Sequence, residues 1–196
     1  FFYLYTKFNR LEKFLCINNS FTNPYQNLAM EEFLLKNYRE NIFMLWQSQE
    51  CVVVGKHQNT LAEINYPYVE ERGIPVARRL SGGGTVYHDM GNVNFSFMIN
   101  GSEGKLVDFR RHTSIIVSFL NKLGVPAQSN QRHDIAINGL KISGNAEHIF
   151  KKRVLHHGTL LFNTNLERLE KSIMPVPGKY TDKAVQSVRS KVTNIY

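Results

Sequence analysis

The sequence holds few residues that form covalent cross-links and no segment long enough to cross a membrane. Only Cys16 and Cys51 among its 196 residues are cysteines, and each lies in an apolar run typical of a strand. We therefore expect buried free thiols, a reducing compartment and a cytoplasmic location. No apolar run approaches the roughly 20 residues that a membrane helix requires. The sequence predicts a protein without a membrane partner.

Negative charge is scarce as well. The chain has 24 Lys and Arg against 16 Asp and Glu, a formal net charge of +8. Such a balance favours an acidic partner, which could be nucleic acid, an anionic membrane or an acidic protein. The basic residues are dispersed, and no nucleic-acid motif accompanies them, so a nucleic-acid partner is not expected. At 42% hydrophobic and 20% charged residues, the composition is typical of one globular domain.

Short strands outnumber helices in the hydrophobic pattern. Ile42 to Trp46 and Cys51 to Gly55 are two apolar runs joined by four polar residues, which predicts a hairpin. The alternation from Val93 to Ile99 predicts a half-buried strand, and the apolar run from Val154 to Phe162 predicts a central one. With few helices between them, these strands predict an α+β fold, a mixed and largely antiparallel sheet with flanking helices.

A helix is predicted between Pro24 and about Tyr38. Asn23 and Pro24 form a typical cap and first turn. Tyr25, Leu28, Ala29, Phe33 and Leu35 share one arc of this helix, and we expect that arc to be buried. Glu32 falls near the middle of the arc, and we interpret it as a structural carboxylate with a partner.

Asn138-Gly139 lies between two alternating runs and is a strong signal for a tight hairpin. A two-residue turn pairs Ile137 with Leu140, Ala136 with Lys141, and Ile135 with Ile142. Lys141 and Asp134 then become diagonal neighbours on the face opposite the apolar side chains. A lysine on a sheet face is usually only solvated, but the neighbouring carboxylate makes Lys141 a candidate for chemistry.

Three consecutive glycines, Gly82 to Gly84, follow Arg79 in a loop between two predicted strands. Successive backbone N–H groups in such a turn can form an anion-binding nest. The guanidinium of Arg79 is a planar fork that suits phosphate or carboxylate. Taken alone, however, a triple glycine is more often a plain strand connector.

The histidines give no sign of a metal site. His156 and His157 are adjacent in a predicted strand, so their side chains point to opposite faces and cannot bind one ion together. No other His or Cys spacing resembles a zinc site. A zinc enzyme is therefore not expected.

Three blocks in order resemble the signatures of the lipoate–protein ligase family, whose catalytic domain has the biotin/lipoate-ligase fold. They are Arg78-Arg79-Leu80-Ser81-Gly82-Gly83-Gly84-Thr85-Val86-Tyr87-His88-Asp89-Met90-Gly91-Asn92, then Lys141-Ile142-Ser143-Gly144-Asn145-Ala146 with His156-His157-Gly158-Thr159-Leu160-Leu161, and Ser187-Val188-Arg189-Ser190-Lys191-Val192-Thr193-Asn194. The resemblance implies that residues 1–196 form a lipoate-ligase-like catalytic domain. It also implies that this domain is incomplete at its C-terminal end, because the family usually continues beyond the third block.

The resemblance implies activation of lipoate by ATP and Mg²⁺ to lipoyl-AMP, followed by transfer to a lysine of an acidic lipoyl domain. That domain would be of the 2-oxoacid dehydrogenase E2 or glycine-cleavage H protein type. Lys141 is expected to be catalytic as an electrostatic clamp, and Asp134 to orient it or to hold Mg²⁺. The residues expected to bind substrate or adenylate are Arg79, Ser81, Gly82, Gly83, Gly84, Val86, Tyr87, His88, Asn92, Asp134, Ala146, His157 and Thr159.

Two alternatives share these residues. A lipoyltransferase would accept preformed lipoyl-AMP without using ATP, and a non-catalytic module would only bind lipoate or a nucleotide. An octanoyl-transferase on this fold would need a catalytic cysteine, for which the sequence offers no candidate. The sequence leaves open the choice between ligase and transferase, the preference for lipoate or octanoate, the acceptor and the oligomeric state.

Overall fold

The computed structural model describes residues 13–101, 106–176, 180 and 183–196. In chain order its elements are β1 (Phe14–Asn19), α1 (Pro24–Asn37), β2 (Asn41–Trp46), β3 (Cys51–Val54), α2 (Thr60–Glu63), α3 (Tyr66–Glu71), β4 (Val76–Arg78), β5 (Val86–His88), β6 (Asn92–Asn100), α4 (Phe109–Lys122), β7 (Gln128–Ser129), β8 (Ile135–Ile137), β9 (Leu140–Phe150), β10 (Arg153–Leu161) and α5 (Leu166–Ile173).

Most neighbouring strands are antiparallel. Seven strands form the large sheet in the order β1-β2-β6-β10-β9-β8-β7, and three form a small sheet in the order β4-β3-β5. Among the described strands, the parallel pairs are β1 with β2 and β3 with β4. This arrangement confirms the predicted α+β class and the mixed, largely antiparallel sheet. No helix in the described part of the chain is long and apolar enough to span a membrane.

Helices and the small sheet enclose the large sheet. On one face, Ile116 and Leu120 of α4 pack with Phe97 of β6 and Val154 of β10. On the other face, Leu34 and Leu35 of α1 pack with residues of β2, β6 and β10 such as Leu155. Successive residues of β10 therefore contribute to opposite faces, which fits the prediction that this strand is central.

The predicted hairpin between β2 and β3 is wrong, since the two strands belong to different sheets. β2 lies between β1 and β6, whereas β3 lies between β4 and β5. The reason is visible in β3, where Cys51, Val52, Val53 and Val54 are all buried. A run that is apolar at every position needs cover on both faces, and the centre of a separate sheet provides it.

The helix α1 is confirmed, but its predicted buried face is wrong. The Asn23 side chain accepts hydrogen bonds from the amides of Tyr25 and Gln26 at its start. Tyr25 and Phe33 are 53% and 54% exposed. The fully buried carboxylate is Glu31, whereas the half-exposed Glu32 pairs with Lys36 one turn on. The Glu31 carboxylate bonds to polar groups of β6 and β10. The periodicity of a helix cannot predict these partners.

Two other expectations about burial are corrected. β6 is not half-buried, because it lies between β2 and β10 with both faces covered, and Asn94 and Ser96 are as buried as the apolar residues between them. Cys16 is exposed in β1, at the edge of the large sheet. Cys51 is buried, and burial raises the pKa of its thiol to about 12. That thiol is therefore a poor nucleophile at neutral pH.

Candidate functional site

The β8–β9 hairpin brings Lys141 and Asp134 together as predicted. Asn138 and Gly139 have φ angles of 49° and 79° and form the two-residue turn. Ala136 pairs with Lys141, and the Lys141 Nζ lies 2.9 Å from an Asp134 carboxylate oxygen. One pairing differs from the prediction. A β-bulge shifts the register so that Ile135 pairs with Ser143, not with Ile142.

Two further features hold Lys141. The Lys141 side chain lies over Gly144, where a Cβ atom would be only 3.1 Å from Nζ. The Lys141 backbone pairs with the third sequence block, donating to the carbonyl of Lys191 at 2.9 Å and accepting from the amide of Thr193 at 3.0 Å. The C-terminal segment thereby fixes the strand position from which the ammonium group extends.

Arg79 organises the glycine loop from inside. Its guanidinium is buried and donates to the carbonyls of Gly82 at 2.7 Å, Gly84 at 2.6 Å and Val53 at 3.2 Å. Burial lowers the pKa of Arg79 to about 10, so the group keeps its charge at neutral pH. Arg79 holds the loop shape through these carbonyls, an arrangement that the sequence alone did not predict.

The loop leaves its own amides free. Gly83 has a φ of +86°, a conformation that strains most side chains. In the described part of the chain, the amides of Gly82, Gly83 and Gly84 donate no hydrogen bond. The next amide, that of Thr85, donates to Ser187 Oγ at 2.9 Å. Three consecutive unpaired N–H groups on a constrained loop fit an anion-binding nest.

The loop, the hairpin and the third block enclose a cavity of about 370 Å³. Ten of the residues predicted for the site line it: Arg79, Gly83, Gly84, Val86, His88, Asp134, Lys141, Ala146, His157 and Thr159. Leu28, Trp46 and Val53 supply an apolar part of the wall. The three sequence blocks, far apart along the chain, therefore meet around one pocket.

Four predicted residues lie outside that lining. Ser81 is buried and Gly82 is partly buried, and both are hydrogen-bond partners of Arg79. Asn92 donates to Thr159 Oγ1 at 3.1 Å and accepts from the amide of Asp89, so it supports the pocket wall from behind. Tyr87 belongs to the core of the small sheet, and its hydroxyl donates to Glu50 at 2.9 Å.

A buried chain of hydrogen bonds runs beneath the pocket, and we call it the supporting network. Arg79 Nε donates to Ser81 Oγ at 3.0 Å, and Ser81 Oγ lies 2.6 Å from His157 Nε2. Glu31 lies 2.9 Å from His157 Nδ1 and accepts from Ser96 Oγ at 2.6 Å. The last member is Trp46, whose Nε1 donates to Ser96 at 3.0 Å.

Ser81, His157 and Glu31 are bonded in the order of a hydrolytic triad. Ser81 is nevertheless fully buried, does not line the pocket, and already accepts a hydrogen bond from Arg79. An enclosed hydroxyl cannot reach a substrate carbonyl. The arrangement therefore supports the loop and supplies no nucleophile.

Two buried side chains of the pocket wall keep polar atoms unpaired in the described structure, namely Asn94 at both amide atoms and His88 at Nδ1. Burial is the main cause that lowers the pKa of His88 to about 3, with the Arg79 charge adding to it. His88 is therefore neutral at physiological pH. Unpaired buried groups are costly unless a ligand bonds them, so both are candidates for substrate contacts.

Sequence reasoning missed several residues of this site. The alternation of β6 predicts Asn94 on a solvated face, and the predicted arc of α1 centres on Glu32, whereas Asn94 and Glu31 are the buried residues. Ser187 accepts from Gln58 Nε2 at 3.0 Å and donates to Glu63, tying the third block to the loop that follows β3. The third block contains Ser187, but nothing in the local pattern singles out that position.

The chain is similar to known lipoate ligases over most of its length. The family described as "Lipoyl protein ligase A/B catalytic domain" matches residues 23–196. The chain is 43% identical over 180 residues to lipoate–protein ligase 1 of Staphylococcus aureus, covering 91% of this chain and 55% of that protein.

Two solved structures are similar to the fold. LipL1 of P. falciparum, in complex with lipoate, superposes with a TM-score of 0.81 at 33% identity, covering 93% of this chain and 55% of that one. A lipoate-protein ligase A bound with ATP gives a TM-score of 0.78 at 25% identity, covering 93% of this chain and 75% of that one. The chain spans about half the length of the curated relative. On the family match and the 43% identity, the chain belongs to the lipoyl protein ligase A/B catalytic domain family.

Proposed function

We propose that this protein activates lipoate with ATP and transfers the lipoyl group to a lysine of an acidic lipoyl domain. The observation that carries the proposal is one pocket walled by the Lys141 ammonium and by a glycine loop with free amides. A relative named as a lipoate–protein ligase and similar structures that hold lipoate and ATP support it. The same residues 1–196 serve as the catalytic domain in this proposal.

Adenylation requires two anions to meet. A lipoate carboxylate oxygen attacks the α-phosphorus of ATP, forming the mixed anhydride and releasing pyrophosphate. No protein nucleophile is needed, so catalysis rests on positioning and charge stabilisation. The free amides of Gly82, Gly83 and Gly84 bind phosphate oxygens, and Lys141 bridges the carboxylate and the α-phosphate.

In the transfer step, negative charge develops on the acyl group and on the departing AMP. The amine of the acceptor lysine attacks the acyl carbonyl, negative charge develops on the carbonyl oxygen, and AMP leaves as the anhydride bond breaks. The Lys141 ammonium stabilises that oxygen and the departing phosphate. Asp134, at 2.9 Å from Nζ, keeps the ammonium in position.

Asp134 is a carboxylate of the pocket wall that suits Mg²⁺. Asp134 is the carboxylate beside Lys141 on the pocket wall, and Mg²⁺ in nucleotide sites uses one or two carboxylates together with substrate phosphates. Asp134 would hold the ion, and the ion would neutralise charge on the phosphates. Holding Mg²⁺ is the alternative to orienting Lys141, because both roles use the same carboxylate.

The apolar part of the pocket suits the remainder of lipoate. Leu28, Trp46 and Val53 line it, and a dithiolane ring with its aliphatic chain gains by leaving water there. The net charge of +8 favours encounter with an acidic lipoyl domain. The E2 or H-protein type of that domain, and a cytoplasmic location, stay predictions.

The decisive experiment supplies the purified protein with lipoate, ATP and a lipoyl domain. Pyrophosphate release together with a lipoyl mass increase on the acceptor is the expected result. Modification only from synthetic lipoyl-AMP would identify a transferase, and lipoate or nucleotide binding without either reaction would identify a binding module. Either outcome would contradict the proposal.

A further inference from the structure

A second cluster of functional groups lies on the far side of β10. His156 and His157 point to opposite faces, and His156 is buried beneath α4. His156 Nδ1 lies 2.9 Å from Glu147 Oε1, and His112 Nδ1 of α4 lies 3.4 Å from the same oxygen. The consecutive strands β9 and β10, together with the more distant α4, thus bring two imidazoles and one carboxylate together.

We propose that His112, Glu147 and His156 form a binding site for a divalent transition-metal ion, with Zn²⁺ as the ion that these ligands suit best. Two imidazoles and a carboxylate are a ligand set typical of Zn²⁺. The site is independent of the proposed lipoylation chemistry. It holds α4 against β9 and β10.

The distances suit one ion. One potential ligand atom from each residue lies within 4.8 Å of the other two. Ligands about 2.0–2.1 Å from a tetrahedral ion are separated by about 3.3 Å. The two Nδ1–Oε1 separations of 2.9 and 3.4 Å lie near that value. Each imidazole is therefore spaced from the carboxylate as two ligands of one ion would be.

Burial and charge also favour an ion. The side chains of His112, Glu147 and His156 are at most 3% exposed, and the aromatic rings of Phe97 and Phe109 pack against the imidazoles. Among the described residues, the ion-pair partners of Glu147 are the two histidines alone. A buried carboxylate is costly without a full positive charge beside it. A divalent ion supplies that charge.

The hydrogen bonds within the cluster do not pair every buried polar atom in it. If both imidazoles donate from Nδ1 to Glu147 Oε1, the other carboxylate oxygen, Oε2, is buried and has no partner in the described structure. Bidentate coordination by Glu147 would occupy Oε2. This unpaired buried oxygen is the second observation that favours a ligand here.

Metal binding to the intact protein tests this proposal. After removal of metals with a chelator, we expect one equivalent of Zn²⁺ to bind and to raise the melting temperature. Added Co²⁺ should give the strong visible absorption of a low-coordinate ion with nitrogen ligands. The variants His112→Gln, Glu147→Gln and His156→Gln should each weaken binding by about 100-fold or more.

His148→Gln is the matched control, because it removes an imidazole from the position next to Glu147 on the same strand. It should leave Zn²⁺ affinity unchanged. If the unaltered protein gives only the weak spectrum of aqueous Co²⁺, the cluster is a hydrogen-bonded triad and the proposal is wrong. Binding that persists in all three variants would also contradict it. The Co²⁺ spectrum of the unaltered protein tests the proposal even if a variant fails to fold.

Discussion

The wall of the pocket and the supporting network beneath it are built from similar polar residues but differ in how completely those residues are paired. In the network, Glu31, Ser81 and His157 have partners at 2.6 to 3.1 Å. On the wall, Asn94, His88 and the amides of the glycine loop lack partners in the described structure. The paired layer fixes shape, and the unpaired layer is available to a ligand.

This difference separates the expected consequences of mutation. Changes on the wall should lower activity with little loss of folding stability. Changes in the network should lower stability because they leave buried groups without partners.

Lys141→Ala should have the largest effect on activity. Removing one preorganised positive donor typically costs about 10²–10³-fold in rate, and we expect this loss in both adenylation and transfer. Stability should change little, since the ion pair with Asp134 is partly exposed. Lipoate-dependent ATP–pyrophosphate exchange and acyl transfer from lipoyl-AMP measure the two steps.

Lys152→Ala is the control for loss of one positive charge, because Lys152 is exposed in the β9–β10 turn. It should leave both rates unchanged. Near-normal rates in Lys141→Ala would make Lys141 an ordinary surface residue. Isolation of a lipoyl–Lys141 amide on the pathway would replace the clamp with covalent catalysis.

Glu31→Ala should be the most destabilising change in the network. It leaves His157 and Ser96 without their buried acceptor, and losing one partner of a buried pair costs about 3 kcal/mol or more. For a domain of this size that corresponds to a fall in melting temperature of about 6–12 °C.

The adjacent Glu32→Ala provides the matched comparison. Glu32 pairs with Lys36 on the helix surface, and such a pair contributes under about 0.5 kcal/mol. Thermal unfolding of the two variants measures the contrast. Equal melting temperatures would show that the network does not stabilise the fold.

The same two glutamates illustrate what the sequence could predict. The Asn138-Gly139 turn is local, so the register that joins Lys141 to Asp134 followed from the sequence alone. The choice between Glu31 and Glu32 depends on Ser96 and His157, which are 65 and 126 residues from Glu31 in the chain. Periodicity identified the helix but not its polar partners.

The glycine loop also has one feature that the sequence predicts and one that it does not. Its presence and its free amides follow from Gly82 to Gly84, whereas the role of Arg79 depends on carbonyls that the folded loop presents. The sequence also could not predict that β2 and β3 belong to different sheets. A short polar segment between two apolar runs can form a hairpin turn or lead the chain from one sheet to another. Non-local pairing decided each case that the sequence left open.

Gly144→Ala tests whether the Lys141 position needs the space above Gly144. The added Cβ would lie 3.1 Å from Nζ and 3.2 Å from Cε, so the ammonium must shift by a few tenths of an ångström. We expect about a tenfold loss of rate in both steps, since a 1 Å misplacement can cost about 100-fold. Stability should change little.

Gly124→Ala is the contrasting control. Gly124 has a φ of +84° and no neighbour within 4 Å, so a Cβ there strains the backbone at the end of α4 without approaching the pocket. Stability should fall by about 1 kcal/mol with activity unchanged. Unaltered rates in Gly144→Ala would mean that Lys141 tolerates displacement.

The last contrast concerns pH and His88, a buried residue of the pocket wall. Burial holds the pKa of its imidazole at about 3, against 6.5 when the chain is unfolded. Between these values the unfolded state binds one more proton than the folded state, so the stability from His88 is complete above pH 6.5 and is lost as the pH falls towards 3.

One such proton changes the free energy of unfolding by about 1.4 kcal/mol per pH unit at most. Urea unfolding of His88→Gln between pH 4 and about 6.5 should therefore show a shallower decline than the unaltered protein. His57→Gln, which removes an exposed imidazole, should keep the original slope. A slope that His88→Gln leaves unchanged would mean that His88 takes up its proton in the folded state, and that this part of the wall is as open to water as the surface.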